Sequence, residues 1–211
     1  MIYILITQNR GEPVMLSFRL LTIPILLVLT IIISLYAQSS PSPVELIRKR
    51  NETIQKILET AGETVDAATK EKLKNIINDL IDFHELSRLA LGKYWKERTE
   101  QEKKEFVDVF RTLIRNSSVK KLEIYRADRI EYLPSEINGD KAAVTTIAYK
   151  GNKSVEIIYK MHRVNGQWKV YDMVIDGLST ARNYRDTFYK QIAKSSYQEM
   201  YSKLKKRVEE K

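Results

Sequence analysis

The chain has 211 residues, 43% apolar and 30% charged, with 36 Lys and Arg against 27 Asp and Glu, a formal net charge of +9. This is the composition of one globular domain behind a short leader, not of a disordered chain. Cysteine is absent, which excludes disulfides, thiolate zinc sites and cysteine nucleophiles.

From Met15 the sequence reads "MLSFRLLTIPILLVLTIIISLYAQSSPSP". Arg19 is a basic flank, Leu20 to Leu35 is an uncharged apolar run, and Tyr36-Ala37-Gln38 leads into a Ser/Pro segment. That order is the pattern of an export signal. The expected layout is a signal peptide over residues 1–37 with its start at Met15, a linker over 38–43, and a single domain over 44–211. An uncleaved N-terminal anchor is the alternative, because the apolar run approaches the length of a membrane span. Export predicts a periplasmic domain, in which a basic surface meets anionic lipid in transient membrane contact, or an acidic protein, and not nucleic acid.

Val44, Ile47, Ile54 and Leu58 recur at helical spacing, and Gly62 ends that helix. Leu73, Ile76, Ile77, Leu80 and Ile81 form a second stripe, which "FHELSRLALG" carries on to Gly92. Thr99 and Glu102 have the spacing of a capping box. The helix they open carries Phe106, Val107, Val109, Phe110, Leu113 and Ile114, followed by Leu122 and Tyr125. From Asp128 the apolar period changes to two. Asn138-Gly139, Gly151-Asn152 and Asn165-Gly166 mark three hairpin turns, so strands are expected at about 129–136, 141–149, 154–163 and 167–175. A long C-terminal helix begins near Ser179, with Tyr184, Phe188, Ile192, Tyr197, Tyr201, Leu204 and Val208 on its stripe. The "KLKKRVEEK" end reads as a solvated charged face, with docking to an acidic surface as the other use. The fold class is α+β: N-terminal helices, a four-stranded antiparallel β-meander and a long C-terminal helix, enclosing an apolar pocket.

Pairing outward from two-residue turns fixes the expected register. Val144 faces Tyr159, Thr146 faces Ile157 and Ala148 faces Val155. Met161 then faces Val170, Tyr159 faces Asp172 and Ile157 faces Val174. One sheet face is thus apolar but for Asp172, and a buried carboxylate needs partners. The Tyr159 phenol or nearby backbone N–H groups are the expected ones. Enzyme signatures are missing: there is no phosphate-binding glycine loop, no G-x-S-x-G elbow, and "FHEL" lacks the second histidine of a zinc-protease motif. His84 and His162 read as ordinary hydrogen-bonding residues, so no metal is expected.

Two segments together resemble the MlaC family of exported phospholipid-binding proteins. The first is Leu91-Gly92-x-Tyr94-Trp95 followed by Thr99 and the Phe106/Phe110 helix. The second is Trp168-Lys169-Val170-Tyr171-Asp172-x-x-Ile175-x-Gly177-x-Ser179-x-x-x-Asn183-Tyr184-Arg185. Glu102 stands where the family tends to have Gln, and either residue completes a capping box. The resemblance implies a non-enzymatic carrier without cofactors, its cargo a bound phospholipid held by its acyl chains. The implied partners are an inner-membrane MCE-domain protein of an ABC transporter and an outer-membrane lipoprotein/porin complex. Hopanoid-linked relatives leave the lipid open.

The stripes and the register, not the resemblance, supply the candidate lining: Leu86, Leu89, Tyr94, Phe106, Phe110, Leu113, Val144, Ile157, Tyr159, Val170, Val174 and Tyr184. Ser179, Thr180 and Arg182 are headgroup candidates, because free N–H groups at a helix start attract phosphate; the plainer reading is that Asp176 or Ser179 caps that helix. Two alternatives stand beside the carrier: a non-carrying interaction module of a transport system, and a pocket enzyme using Asp172 with Tyr159 as an acid/base pair.

Overall fold

A computed structural model describes residues 41–210, the side chains of 119–121 and 123 excepted. The expected signal segment lies outside the described residues. Helix α1 (Pro43–Ala61) begins at a full capping box: Ser42 accepts the Glu45 N–H, and the Glu45 carboxylate accepts the Ser42 N–H at 3.1 Å. Its buried stripe is Ile47, Asn51, Ile54 and Leu58. Helix α2 (Ala67–Asn78) is capped by Asp66.

The stripe from Leu73 to Gly92 is not one helix. It breaks at Leu80–Asp82, and α3 (Phe83–Leu91) restarts behind an Asp82 cap. The break satisfies the sheet: the Asp82 N–H donates to the Val170 carbonyl and the Val170 N–H to the Leu80 carbonyl, both at 2.8 Å. A 3-10 turn (Gly92–Glu97) leads to α4 (Glu100–Ser118), which starts with the predicted Thr99/Glu102 box at 2.8 and 3.1 Å. A second 3-10 stretch (Val119–Arg126) leads to the strands.

The strands are β1 (Arg129–Tyr132), β2 (Glu136–Asn138), β3 (Lys141–Lys150), β4 (Lys153–Val164), β5 (Gln167–Ile175) and β6 (Leu178–Ser179), all antiparallel to their neighbours. The expected first strand is split in two around Pro134, which has no N–H for the ladder, and both pieces pair with β3. The sheet order is β1-β3-β4-β5-β6. The outer edge of β5 is met by Leu80–Asp82 at Val170 and by β6 at Val174 and Ile175, which shortens the ladder left exposed along it. The long last helix is also two. Ser196 caps α6 (Tyr197–Glu209) after α5 (Thr180–Lys194) has ended.

The β3–β4 register is as expected throughout. In β5 it holds as far as Val170 and then shifts, with Lys160 opposite Asp172 and Tyr159 opposite Met173. The extra residue is Tyr171, a β-bulge, and it exchanges the faces of everything after it. Met173 and Ile175 therefore join the inner face, in place of Asp172 and Val174.

Two predictions concern this framework. Gly92 has φ +53 and ends α3, and a Cβ there would press on the Tyr189 hydroxyl and on Arg185 Cδ at 3.1 Å. The same hydroxyl accepts the Lys93 N–H at 2.8 Å, tying the 3-10 turn after α3 to α5. Gly92→Ala is expected to lower stability by about 1–2 kcal/mol in urea unfolding, the cost of a left-handed non-glycine residue alone. Hydrogen bonds to Ser42, Thr69 and Thr99 hold the Glu45, Asp66 and Glu102 carboxyls below their ordinary pKa values. Groups depressed in the native state stabilise it above their unfolded pKa, and that contribution is lost as pH falls through the native value. The melting temperature should stay level from pH 7 to 5 and fall below about pH 4, the ordinary carboxylate range.

Candidate functional site

The core is divided. One cluster lies among α3, α4, α5 and α6, and includes Leu86, Phe106, Phe110, Leu113 and Phe188. A second joins α1 to the inner sheet face through Ile47, Val144, Ile157, Tyr159 and Val170. A third, with Ile54, Leu58, Leu73 and Ile77, lies between α1 and α2. A cavity of about 340 Å³ opens where all three meet. Ile77 comes from the third cluster, Ile81, Ile114 and Tyr184 border the first, and Met173 and Ile175 border the second.

Polar groups surround this apolar floor: Ser117, Ser118, Asp176, Ser179, Thr180 and Asn183, with Leu178, 74% exposed, beside them. A narrow inward extension of about 10 Å³ shares Ile81, Ile114, Met173 and Thr180 and reaches Leu86, Val170, Tyr171 and Asp172. An apolar floor with a few polar groups at its mouth is the usual form of a site for an amphiphile.

Asp172 fixes one wall of this cavity. Its carboxylate is buried and accepts the Ala181 N–H at 3.0 Å and the Ser179 hydroxyl at 2.7 Å, with the Lys160 ammonium 3.7 Å away. The Ser179 oxygen in turn accepts the Arg182 N–H at 3.1 Å. The start of α5 is thus capped from within the sheet, and two of its free N–H groups are already satisfied.

A larger groove of about 650 Å³ runs between α1 and α2, but Lys49, Arg50, Asp79 and Arg115 are among its walls. The Arg50 guanidinium is held by Asp79 at 3.1 Å and Arg115 by Glu71 at 3.3 Å. Charged walls suit water, not an acyl chain.

A family model described as MlaC protein matches residues 48–206. The chain belongs to the MlaC family. The intermembrane phospholipid transport system binding protein MlaC of Haemophilus influenzae is 29% identical over 117 residues, 51% of this chain and 55% of the relative. Toluene tolerance protein ttg2D of Pseudomonas putida is 22% identical over 121 residues, 56% of each chain. The chain thus spans little more than half the length of these relatives. A solved phospholipid-binding protein from Ralstonia solanacearum, in complex with a phospholipid, shares the fold at a TM-score of 0.64 and 20% identity, over 79% of this chain and 94% of the other.

In this MlaC-family chain the twelve lining candidates fall in different places. Leu86, Phe106, Phe110 and Leu113 are buried in the helical cluster, with Leu89 partly buried against it. Val144, Ile157, Tyr159 and Val170 are buried in the sheet cluster. Leu86 and Val170 border the narrow extension, and Tyr184 alone of the twelve lines the main cavity. Tyr94 is half-buried, edge-on to Tyr189 at 5.1 Å with the Lys93 ammonium 5.0 Å from its ring. Val174 faces away, because the Tyr171 bulge turns Ile175 inward instead.

Ser179 and Thr180 line the mouth, whereas Arg182 is exposed and does not. The open helix start expected for phosphate is closed by Asp172 and Ser179. Asp172 has the expected backbone N–H partner, but not the Tyr159 phenol, which lies on the other sheet face. Burial raises the Tyr159 pKa far above its ordinary value, and hydrogen bonds to Asn51 and Thr146 lower it only in part. The acid/base pair of the enzyme alternative is therefore not assembled.

The residues that sequence reasoning missed are Ile77, Ile81, Ile114, Ser117, Ser118, Met173, Ile175, Asp176, Leu178 and Asn183. Ile77, Ile81 and Ile114 stood on recognised stripes, and Met173 and Ile175 lay in the predicted last strand but counted to its other face; the rest gave no periodic signal. His84 packs edge-on to Trp95 at 5.2 Å, and His162 pairs with Asp82 at 2.9 Å. Among the described residues no group of three or more His, Asp or Glu is placed to hold a metal, and no helix is long and apolar enough to cross a membrane.

Proposed function

We propose that this protein is a periplasmic carrier that binds a glycerophospholipid by its acyl chains, as cargo and without turnover. One observation carries the reading: an apolar cavity with a polar mouth opens at the seam of three separately packed clusters. A single welded core would resist insertion of a chain, because close-packed interiors part only at a cost. A seam between clusters can widen while each cluster keeps its own contacts. Family membership and the fold shared with a phospholipid-bound protein support the same reading.

The lipid's headgroup sits at the polar rim in this reading, and its tails replace water against Ile81, Ile114 and Met173. Each acyl methylene kept dry is worth about 0.8 kcal/mol, so loss into water is slow and release requires a membrane or a partner protein. We further propose, from the family resemblance, that the chain shuttles lipid between an inner-membrane MCE-domain protein of an ABC transporter and an outer-membrane lipoprotein/porin complex.

Organic extraction of the protein purified from a bacterial periplasm, followed by lipid mass spectrometry, tests the binding. The expected result is glycerophospholipid in stoichiometric amount. Protein that emerges empty, and stays empty after mixing with phospholipid vesicles, contradicts it.

A further inference from the structure

Resting on the carrier reading, we infer that the groove between α1 and α2 receives an acidic segment of a partner protein, and that docking there loosens α2 and releases the lipid. The groove and the cavity lie on two sides of the same pair of helices. On α2, Ile76 lines the groove and Ile77 the cavity; on α4, Arg115 lines the groove and Ile114 the cavity. A group that moves α2 from the groove side therefore moves a wall of the lipid site.

Two arginines hold α2 on that side. From α1, the Arg50 guanidinium donates to the Ile76 carbonyl and pairs with Asp79 at 3.1 Å. From α4, Arg115 donates to the Asn75 side chain and pairs with Glu71 at 3.3 Å. The two arginine side chains are only 17% and 30% exposed, whereas Asp79 and Glu71 are 72% and 55% exposed. The cations are anchored, and their counter-charges are held from the water side. Exposed ion pairs of this kind are weak, so an arriving carboxylate exchanges with them at little cost. The end of α2 is also incompletely bonded. Asn78 is buried and donates to Ser118 at 3.0 Å, but its own side-chain oxygen is buried without a partner, as is Arg50 Nε. Each unmet hydrogen bond weakens the hold on α2 in the closed form.

Charge selects the occupant. The groove carries Lys49, Arg50 and Arg115 against the acid Asp79, and Lys49 has no ion pair among the described residues. Leu46 and Ile76, both half-buried, add apolar contact beside these cations. Carboxylates along a protein segment meet the three cations in turn, while its apolar side chains cover Leu46 and Ile76. A flat bilayer touches the exposed Lys49 but does not reach guanidiniums that are mostly buried. The segment gains Arg50 and Arg115 only when Asp79 and Glu71 let go, so it binds the loosened form more tightly. That difference in affinity is what a ligand-driven change requires. Release is thereby tied to contact with the partner.

The test uses labelled poly-glutamate as the probe, its binding read by fluorescence anisotropy. Release is read as transfer of a fluorescent phospholipid from the loaded protein to phosphatidylcholine vesicles. The expected result is salt-sensitive binding, about fivefold weaker in Lys49→Glu, and faster transfer when poly-glutamate is present. Lys205→Glu, the same charge change on exposed α6, should bind like the parent. Glu71→Gln removes the internal competitor for Arg115, so it should bind poly-glutamate more tightly and transfer lipid faster without it. No binding, or equal losses in Lys49→Glu and Lys205→Glu, overturns the docking site. Binding that leaves transfer unchanged, or parental transfer in Glu71→Gln, overturns the coupling to release. Transfer accelerated by phosphatidylglycerol vesicles alone and lost in Lys49→Glu makes the occupant a membrane and overturns the inference as well. All of these results leave the carrier reading standing. A protein that takes up no phospholipid overturns the carrier reading, and poly-glutamate binding is still measurable on it.

Discussion

Replacing Asp172 by alanine is expected to destabilise the protein by about 3 kcal/mol, the cost of stranding buried hydrogen-bond donors. Its carboxylate accepts the Ser179 hydroxyl and the Ala181 N–H, and both donors sit at the junction of β5, β6 and α5. The alanine variant leaves those groups unpaired and the Lys160 ammonium without its 3.7 Å counter-charge. For a chain of this length such a loss corresponds to a melting-temperature drop of roughly 6–12 °C. Asp172→Asn keeps one oxygen for the Ala181 N–H but turns a donor toward Ser179, so about half the loss is expected. Urea unfolding of the two variants separates these cases. Equal, small losses in both would show that the carboxylate does not brace the helix start.

Truncating Phe110 to alanine should cost more, about 3–5 kcal/mol. Phe110 is fully buried, stacked on Phe106 at 5.5 Å, with Tyr184 and Phe188 edge-on at 4.9 and 5.6 Å. Its loss removes the ring against which Tyr184 and Phe188 pack, and Tyr184 is also a wall of the cavity. The variant is therefore expected to combine lower stability with weaker lipid retention. Phe110→Leu fills most of the space and should cost under about 1.5 kcal/mol. A Phe110→Ala protein as stable as the parent would mean that the helical cluster is not the rigid side of the seam.

Much of the architecture was legible in the chain. Two-residue turns at Gly151-Asn152 and Asn165-Gly166 fixed strand register by counting, and β3–β4 pairs accordingly. Counting failed at Tyr171, because a bulge inserts one residue without any local mark in "KVYDMVI", and from there the faces exchange. That slip moved Asp172 and Val174 and hid Met173 and Ile175. The breaks at Leu80–Asp82 and Ser195–Ser196 had visible capping residues in Asp82 and Ser196. An apolar stripe that continues across each break masked them.

The cavity itself was the least legible feature. Periodicity identifies which face of an element is buried, and so it pointed to Phe106, Phe110, Val144 and Ile157 in the middle of packed clusters. A cavity forms where packed faces fail to meet, at the ends of elements: Ile77 near the end of α2, Ser117 and Ser118 at the end of α4, Thr180 at the start of α5. Only the tertiary arrangement places those ends together.

The most direct test places a tryptophan at Met173, on the cavity floor, and in parallel at Thr53, in the charged groove between α1 and α2. Lipid occupancy of each purified variant is then read by native mass spectrometry, with far-UV circular dichroism as the check on folding. If the seam cavity holds the acyl chain, Met173→Trp loses most of its bound lipid while Thr53→Trp keeps it. Full occupancy in a folded Met173→Trp protein, or loss confined to Thr53→Trp, would contradict the assignment of this cavity as the lipid site.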